Sequence, residues 1–127
     1  MMTREDFFNI PANKKVRNFI NEQILIIAKS VDITDNAELN ALARAIYEEY
    51  KGAGVFKGEN SDKLEAVSKK VTFENVENRL PDDLKERLQK FENCITDIAS
   101  DPDKELLKRI NSIGQGVIDK DDNIDDI

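Results

Sequence analysis

The feature that most constrains the fold is a stripe of apolar residues in the second half of the chain. Leu84, Leu88, Phe91, Ile95 and Ile98 follow one another at steps of four and three residues. This spacing places all five on one face of an α-helix, since a helix makes a turn every 3.6 residues. The stripe is typical of the core face of a bundle helix, because a sustained coiled coil needs three or four heptads.

The same period recurs in three other segments. Apolar residues repeat at three- and four-residue steps over residues 16–31, over residues 39–50 behind Asp35, and over residues 106–117 behind Asp101. Aspartate is a favoured N-cap because its carboxylate accepts hydrogen bonds from the N–H groups of the first turn. The pattern predicts a helix in each segment and no strand.

Glycines and a phase change modify this simple pattern. A helix opened by Asp62 loses its apolar phase at Thr72, which predicts a kink or a short separate helix beyond that point. Gly114 and Gly116 are expected to fray the end of the last helix, because glycine is a poor helix former. LPDD at residues 80–83 starts a helix, with proline near the first position and acids facing the positive end of the dipole.

Length and composition agree with one helical domain. The chain has 127 residues, of which 39% are hydrophobic and 35% charged, a profile typical of a globular protein. We predict an all-α, antiparallel helical bundle of four to six helices over residues 1–118, followed by an acidic, disordered tail at residues 119–127. The longest apolar run, ILIIA, is far too short for a bilayer, which takes about 20 residues, so no membrane association is expected.

Several chemistries are removed by residue types that are rare or missing. The chain has no histidine and a single cysteine, Cys94. It therefore lacks the commonest general base and metal ligand, and it can form neither an internal disulfide nor a cysteine-based zinc site. We expect no catalysis and no cofactor, and a cytoplasmic location.

What remains is action through the surface. We expect a protein-interaction module that binds another macromolecule, most simply a protein, as an inhibitor, adaptor or regulatory subunit of the kind that accessory genetic elements encode. A homodimer is an alternative use of the apolar faces at residues 84–98 and 24–28. One candidate contact is the loop KGAGVFKGENSD at residues 51–62, where Val55 and Phe56 would form an exposed apolar tip between glycines.

The second candidate contact is the tail, DKDDNIDDI, which holds five aspartates in nine residues. Asp119, Asp121 and Asn123 match the first three ligand positions of an EF-hand loop, but Ile124 stands where glycine is required and the final acid is missing. Calcium binding at high affinity is therefore not expected. The tail is a docking segment, a mimic of nucleic-acid phosphates, or a solvated end that only adds solubility. The docking residues would be Asp121, Asp122, Ile124, Asp125, Asp126 and Ile127.

A basic cluster near the start supports a different function. Lys14, Lys15 and Arg17 could contact phosphates, which makes a nucleic-acid-binding regulator an alternative. The whole chain carries a net charge of −7, which weakens this signal. A helix-turn-helix over AKSVDITDNAEL is not expected, because Asp32 stands where the turn usually has glycine.

One further alternative comes from a resemblance. The segment KELLKRINSIG, residues 104–114, resembles the closing helix of bacteriocin immunity proteins of the four-helix type. The likeness covers one amphipathic helix and has no diagnostic motif. It implies an immunity role as a third function to consider beside the two above.

Overall fold

The computed structural model describes residues 7–10, 15–33, 35–56, 71–90 and 104–118. These residues contain helices and no strand, which confirms the predicted all-α bundle. The helices are α1 Val16–Ser30, α2 Asn36–Gly52, α3 Phe73–Glu77, α4 Asp82–Gln89 and α5 Lys104–Val117. The helix predicted from Asp62, the second half of the 84–98 stripe and the tail at 119–127 lie outside the described residues.

Three helices form the centre of the bundle. α5 packs against both α2 and α1, and α1 packs against α2. The start of α1 meets the end of α5, where Arg17 contacts Gln115, so these two helices run in opposite directions. The end of α2 also meets the end of α5, where the Lys51 ammonium donates to the Val117 carbonyl at 3.0 Å, so α2 and α5 run in broadly the same direction.

The centre is filled by the apolar stripes that the sequence predicted. Burial of each large aliphatic side chain stabilises the fold by roughly 1.5–3 kcal/mol, so these helices depend more on packing than on their own propensity. The side chains with no measurable exposure include Ile20, Ile24, Ile27, Leu39, Leu42, Ile46 and Ile110.

The turn between α1 and α2 is closed by an aspartate in the left-handed conformation. Asp32 has a φ of 56°, and the N–H of Ile33 donates to the Ala28 carbonyl at 2.8 Å. This is the long hydrogen bond of a Schellman motif, completed by the buried Ile33 side chain. The argument that Asp32 disfavours such a turn is therefore wrong, because aspartate enters this region more readily than most residues other than glycine.

The starts of α2, α3 and α4 follow the predicted signals, whereas the predicted cap Asp101 of the last helix lies outside the described residues. The Asp35 carboxylate accepts hydrogen bonds from the N–H groups of Ala37 and Glu38, at 3.2 and 3.3 Å. The Thr72 hydroxyl accepts from the Asn75 N–H at 3.1 Å, and its extended backbone makes α3 a short separate helix. α4 begins directly after Pro81, with two acids in its first turn.

The segment at residues 7–10 packs on this core through its two phenylalanine side chains. The Gln23 amide donates to the Phe7 carbonyl and the Tyr50 hydroxyl donates to the Phe8 carbonyl, both at 2.7 Å. The ring of Phe8 packs on that of Phe73, with centroids 4.7 Å apart. Buried backbone carbonyls need such partners, so these two bonds hold the segment in place.

The predicted exposed tip at Val55 and Phe56 is wrong. Their exposed fractions are 4% and 2%, and the Phe56 ring stacks on that of Tyr47 at a centroid distance of 6.1 Å. Gly54, with a φ of 89°, lets the chain turn back after α2. The two apolar side chains therefore complete the core and are not presented to a partner.

The expected fraying at the glycines of α5 is also wrong. The helix continues through Gly114 and Gly116 to Val117. A Cβ atom added at Gly114 would lie less than 3.0 Å from three ring carbons of Tyr47, whereas one at Gly116 would meet nothing. The absence of a side chain at Gly114 therefore makes room for the Tyr47 ring of α2. None of the described helices is long and apolar enough to span a membrane.

Candidate interaction grooves around the last helix

The inner face of α5 is fixed by a polar network as well as by apolar packing. Arg17 on α1 donates to the side-chain oxygens of Gln115, at 2.8 Å, and Asn111, at 2.6 Å. It also donates to the Asn111 carbonyl, at 2.9 Å. With 1% of its surface exposed, Arg17 is buried between α1 and α5 and links the two helices.

Neutral acceptors hold this buried cation in place of a carboxylate. The three acceptors above belong to amides, and the Arg17 Nε has no hydrogen-bond partner. The Tyr47 ring adds a cation–π contact, with the guanidinium carbon 6.0 Å from the ring centroid. A buried charge of this kind is costly to leave without partners, so the network fixes how α1, α2 and α5 meet.

Tyr47 and Asn21 extend the network across to α2. The Tyr47 hydroxyl donates to the Asn21 side-chain oxygen, and the Asn21 amide donates to the Asn111 side-chain oxygen at 3.1 Å. Burial raises the pKa of Tyr47, while its hydrogen bond and charge interaction with Arg17 act in the opposite direction. Burial also raises the pKa of Tyr50 well above its ordinary value. Both phenols therefore stay protonated near neutral pH and act as structural groups.

Two grooves that share Lys108 border the outer side of α5, and a third lies near the turn between α1 and α2, where Asp32 and Glu105 line it. The first of the two, the α1/α5 groove, has a volume of about 700 Å³ and carries both signs of charge. Amide side chains from both helices line it, and partly buried Leu107 supplies its apolar part. Its lining includes Asn18, Asn21, Glu22, Lys104, Leu107 and Asn111.

The second groove lies between α2 and α5, and we call it the α2/α5 groove. Its volume is about 470 Å³. Partly buried Ile113 supplies its accessible apolar surface, and fully buried Leu39 lies at its base. Lys108 and Arg109 line it as well, and of the described residues that do so none is acidic. Arg109 donates to the side-chain oxygen of Asn36 at the start of α2. Lys108 lines both grooves and forms the ridge between them.

The structure contradicts one member of the predicted basic cluster as a phosphate contact. Lys15 is exposed directly before α1, and Lys14 lies outside the described residues. Arg17, the third member, is buried against α5 and bonded to Asn111 and Gln115. The sequence missed its role because arginine next to two lysines suggests a solvated face, and only the pairing with α5 distinguishes a core arginine.

The structure contradicts one of the other two predicted contact surfaces and does not describe the second. Val55 and Phe56 are buried, and the tail residues Asp121, Asp122, Ile124, Asp125, Asp126 and Ile127 lie outside the described residues. The residues that line the two grooves were not predicted. One signal was available, because Arg17 and Asn21 lie one turn apart, and so on one face, of the helix predicted over residues 16–31.

The described part of the chain contains no group of three histidine, cysteine or acidic side chains that could hold a metal ion. The grooves contain amides, a hydroxyl, lysines and an arginine, which suit hydrogen bonding to a partner. Comparison with known proteins adds no identity, since no family model, no curated protein and no solved structure matches this chain.

Proposed function

We propose that this chain is a non-enzymatic interaction module that binds another protein through the outer side of α5. It would act as an inhibitor, adaptor or regulatory subunit, since it lacks histidine, the commonest general base. Its single cysteine suggests a location in the cytoplasm. The observation that carries the proposal is the pair of grooves that share Lys108.

The lining of the grooves supports a polypeptide as the ligand. Side-chain amides both donate and accept hydrogen bonds, so Asn18 and Asn111 in one groove and Asn40 in the other can pair with a peptide backbone. Leu107 and Ile113 are partly buried and offer each groove a place for an apolar side chain. Both volumes fall within the usual range of ligand sites, roughly 300–1,000 Å³.

The support beneath the grooves favours binding without a large rearrangement. Asn21 and Asn111 line the α1/α5 groove and are bonded to Tyr47 and Arg17 on their inner sides. A contact surface held in its binding geometry loses less conformational entropy when the partner arrives. The buried network would therefore serve binding as well as stability.

The experiment is capture of a partner by the immobilised full-length chain from a lysate of its source cell, compared with two charge-reversal variants. Lys108→Glu changes the ridge between the grooves, and Lys85→Glu is the matched control on α4. We expect the partner to be lost by Lys108→Glu and kept by Lys85→Glu, while both variants unfold near the native temperature. Equal capture by both variants would exclude the α5 surface.

The two other functions stay predictions that separate measurements address. A nucleic-acid-binding regulator should retard DNA or RNA in a mobility-shift assay at low salt, where phosphate contacts are strongest. Burial of Arg17 leaves this function with less support. An immunity protein would be one form of inhibitor, and its partner in the capture experiment would be a toxin.

A further inference from the structure

The α2/α5 groove combines two features that select a particular kind of ligand. Its cationic side is formed by Lys108 and Arg109, and its accessible apolar surface by Ile113, since Leu39 is fully buried at its base. The remaining lining residues are neutral and polar, and of the described residues that line the groove none is acidic. Such a surface suits a short segment in which carboxylates alternate with aliphatic side chains.

The chain itself contains a segment of that composition. Its last four residues are Ile124, Asp125, Asp126 and Ile127, preceded by three further aspartates from residue 119 onward. The net charge of residues 119–127 is −4, from five aspartates and one lysine. Opposite charges would draw this segment towards the cationic side of the groove, and the isoleucines match its apolar part.

The position of the groove is within reach of the tail. Ser112 and Ile113 lie five to six residues before Ile118, the last described residue, which is about 8–9 Å along a helix that rises 1.5 Å per residue. The nine residues that follow can span up to about 30 Å when extended. This length would be enough for Ile124 to reach Ile113 and for Asp125 and Asp126 to reach Arg109 and Lys108.

We propose that the α2/α5 groove is a docking site for the chain's own acidic C-terminal segment, residues 119–127. Its aspartates would lie at Lys108 and Arg109, and its isoleucines would pack on Ile113. A partner that uses this groove must then displace the tail. This inference goes beyond the proposed function, since it concerns the isolated chain.

Amide signals of the full-length chain in nuclear magnetic resonance spectra test the docking directly. The variant Asp125→Lys with Asp126→Lys should shift the signals of Asn40, Ser112 and Ile113, which lie far from the substitutions in sequence, and should leave Asn75 on α3 unchanged. Ile124→Ser with Ile127→Ser should shift the same groove signals. Groove signals that stay in place in either variant would overturn the proposal.

Three controls separate tail docking from other effects. Asp119→Asn, next to the end of α5, should leave the groove signals nearly in place. Lys108→Glu combined with Asp125→Lys and Asp126→Lys should bring them part of the way back towards their native positions, because the pairing at position 108 is restored with its signs exchanged. Raising the salt to about 1 M shortens the screening length to about 3 Å, and should move the native signals towards those of the lysine variant. If the groove signals of this triple variant do not move back towards their native positions, the proposal is overturned.

A dilution series identifies the occupant of the groove. Groove signals that are independent of protein concentration assign the groove to the chain's own tail. Signals that change on dilution would assign it to the tail of a second copy and overturn docking within one chain. Because no partner is present in these samples, the result is independent of the capture experiment and each proposal fails by itself.

Discussion

Arg17 lies under α5 with 1% of its surface exposed, whereas Arg79 lies between α3 and α2 with 41% of its side chain exposed. Arg17 is held by the amide and carbonyl oxygens of Asn111 and Gln115. Arg79 forms ion pairs with two carboxylates, those of Glu48 and Glu49. The side of the bundle with formal salt bridges is thus the solvated one, and the buried side relies on neutral acceptors.

This difference teaches that charge pairing is a poor guide to which contacts hold the fold. An exposed ion pair is weakened by water and salt and contributes about 0.2–1 kcal/mol. Removing either the buried cation or its acceptors leaves the other group buried without a hydrogen-bond partner. This lowers the free energy of unfolding by more than the loss of an exposed ion pair does. The junction of α1, α2 and α5 should therefore be the sensitive part of the molecule, and the α2–α3 surface the tolerant one.

The largest effect is expected from Gly114→Ala. The new methyl group would overlap the Tyr47 ring and force α5 away from α2, so we expect a loss of about 3 kcal/mol in the free energy of unfolding. Gly116→Ala is the matched control on the same helix, where open space and better helix propensity should give a gain of about 0.5–1 kcal/mol. Denaturant unfolding measures both, and equal effects would show that α5 does not approach Tyr47 closely.

The next effect is expected from Arg17→Met, which keeps the length of the side chain and removes its donors. Asn111 and Gln115 then lose their buried partner, and the free energy of unfolding should fall by about 2 kcal/mol. The pKa of Tyr47 should also rise further, since Arg17 acts to lower it. A tyrosinate absorbance titration against pH detects this second change, and an unchanged titration would contradict the Arg17–Tyr47 contact.

High pH should weaken the buried side specifically. The two tyrosines have raised pKa values in the folded chain because of burial, so above the ordinary value near 10 the unfolded chain loses these protons first. Stability is therefore complete below about pH 10 and falls as the pH rises through the folded pKa. Tyr50→Phe should reduce this fall, measured as the denaturant midpoint against pH. The same slope in the variant would contradict the burial of Tyr50.

The smallest effect is expected from Arg79→Ala. Removal of this exposed arginine should change the free energy of unfolding by less than about 1 kcal/mol, and the difference should disappear at high salt. Arg87→Ala is the informative comparison, because Arg87 donates to the Val31 and Asp32 carbonyls at the end of α1 as well as to Glu38. A loss for Arg79→Ala as large as that for Arg17→Met would reverse the contrast between the two sides.

Much of the helical framework could be read from local signals. The N-cap at Asp35, the start after Pro81 and the break at Thr72 were predicted correctly, because each depends on a side chain and the N–H groups within three residues of it. The burial of Phe56 and the continuation of α5 through Gly114 could not be read in this way. Both depend on Tyr47, which is 9 and 67 residues away along the chain.

The candidate site was predicted poorly for the same reason. Lys108, Asn111 and Ile113 were read only as parts of an amphipathic helix, because nothing in the sequence indicates which faces of α1 and α2 lie beside them. The grooves form only where α5 packs against α1 and α2. Their lining residues come from segments about 70 to 90 positions apart.

The sequence alone determined that this chain folds as helices and where most of the described ones begin, since periodicity and caps act over one or two turns. It also limited the chemistry, because a chain without histidine and with one cysteine lacks the commonest general base and cannot form a cysteine-based zinc site. Only the tertiary structure decided that Arg17 is a core residue, that Phe56 is not a contact and that Lys108 stands between two grooves. These facts depend on which helical faces come together, and that choice is made by packing across distant segments.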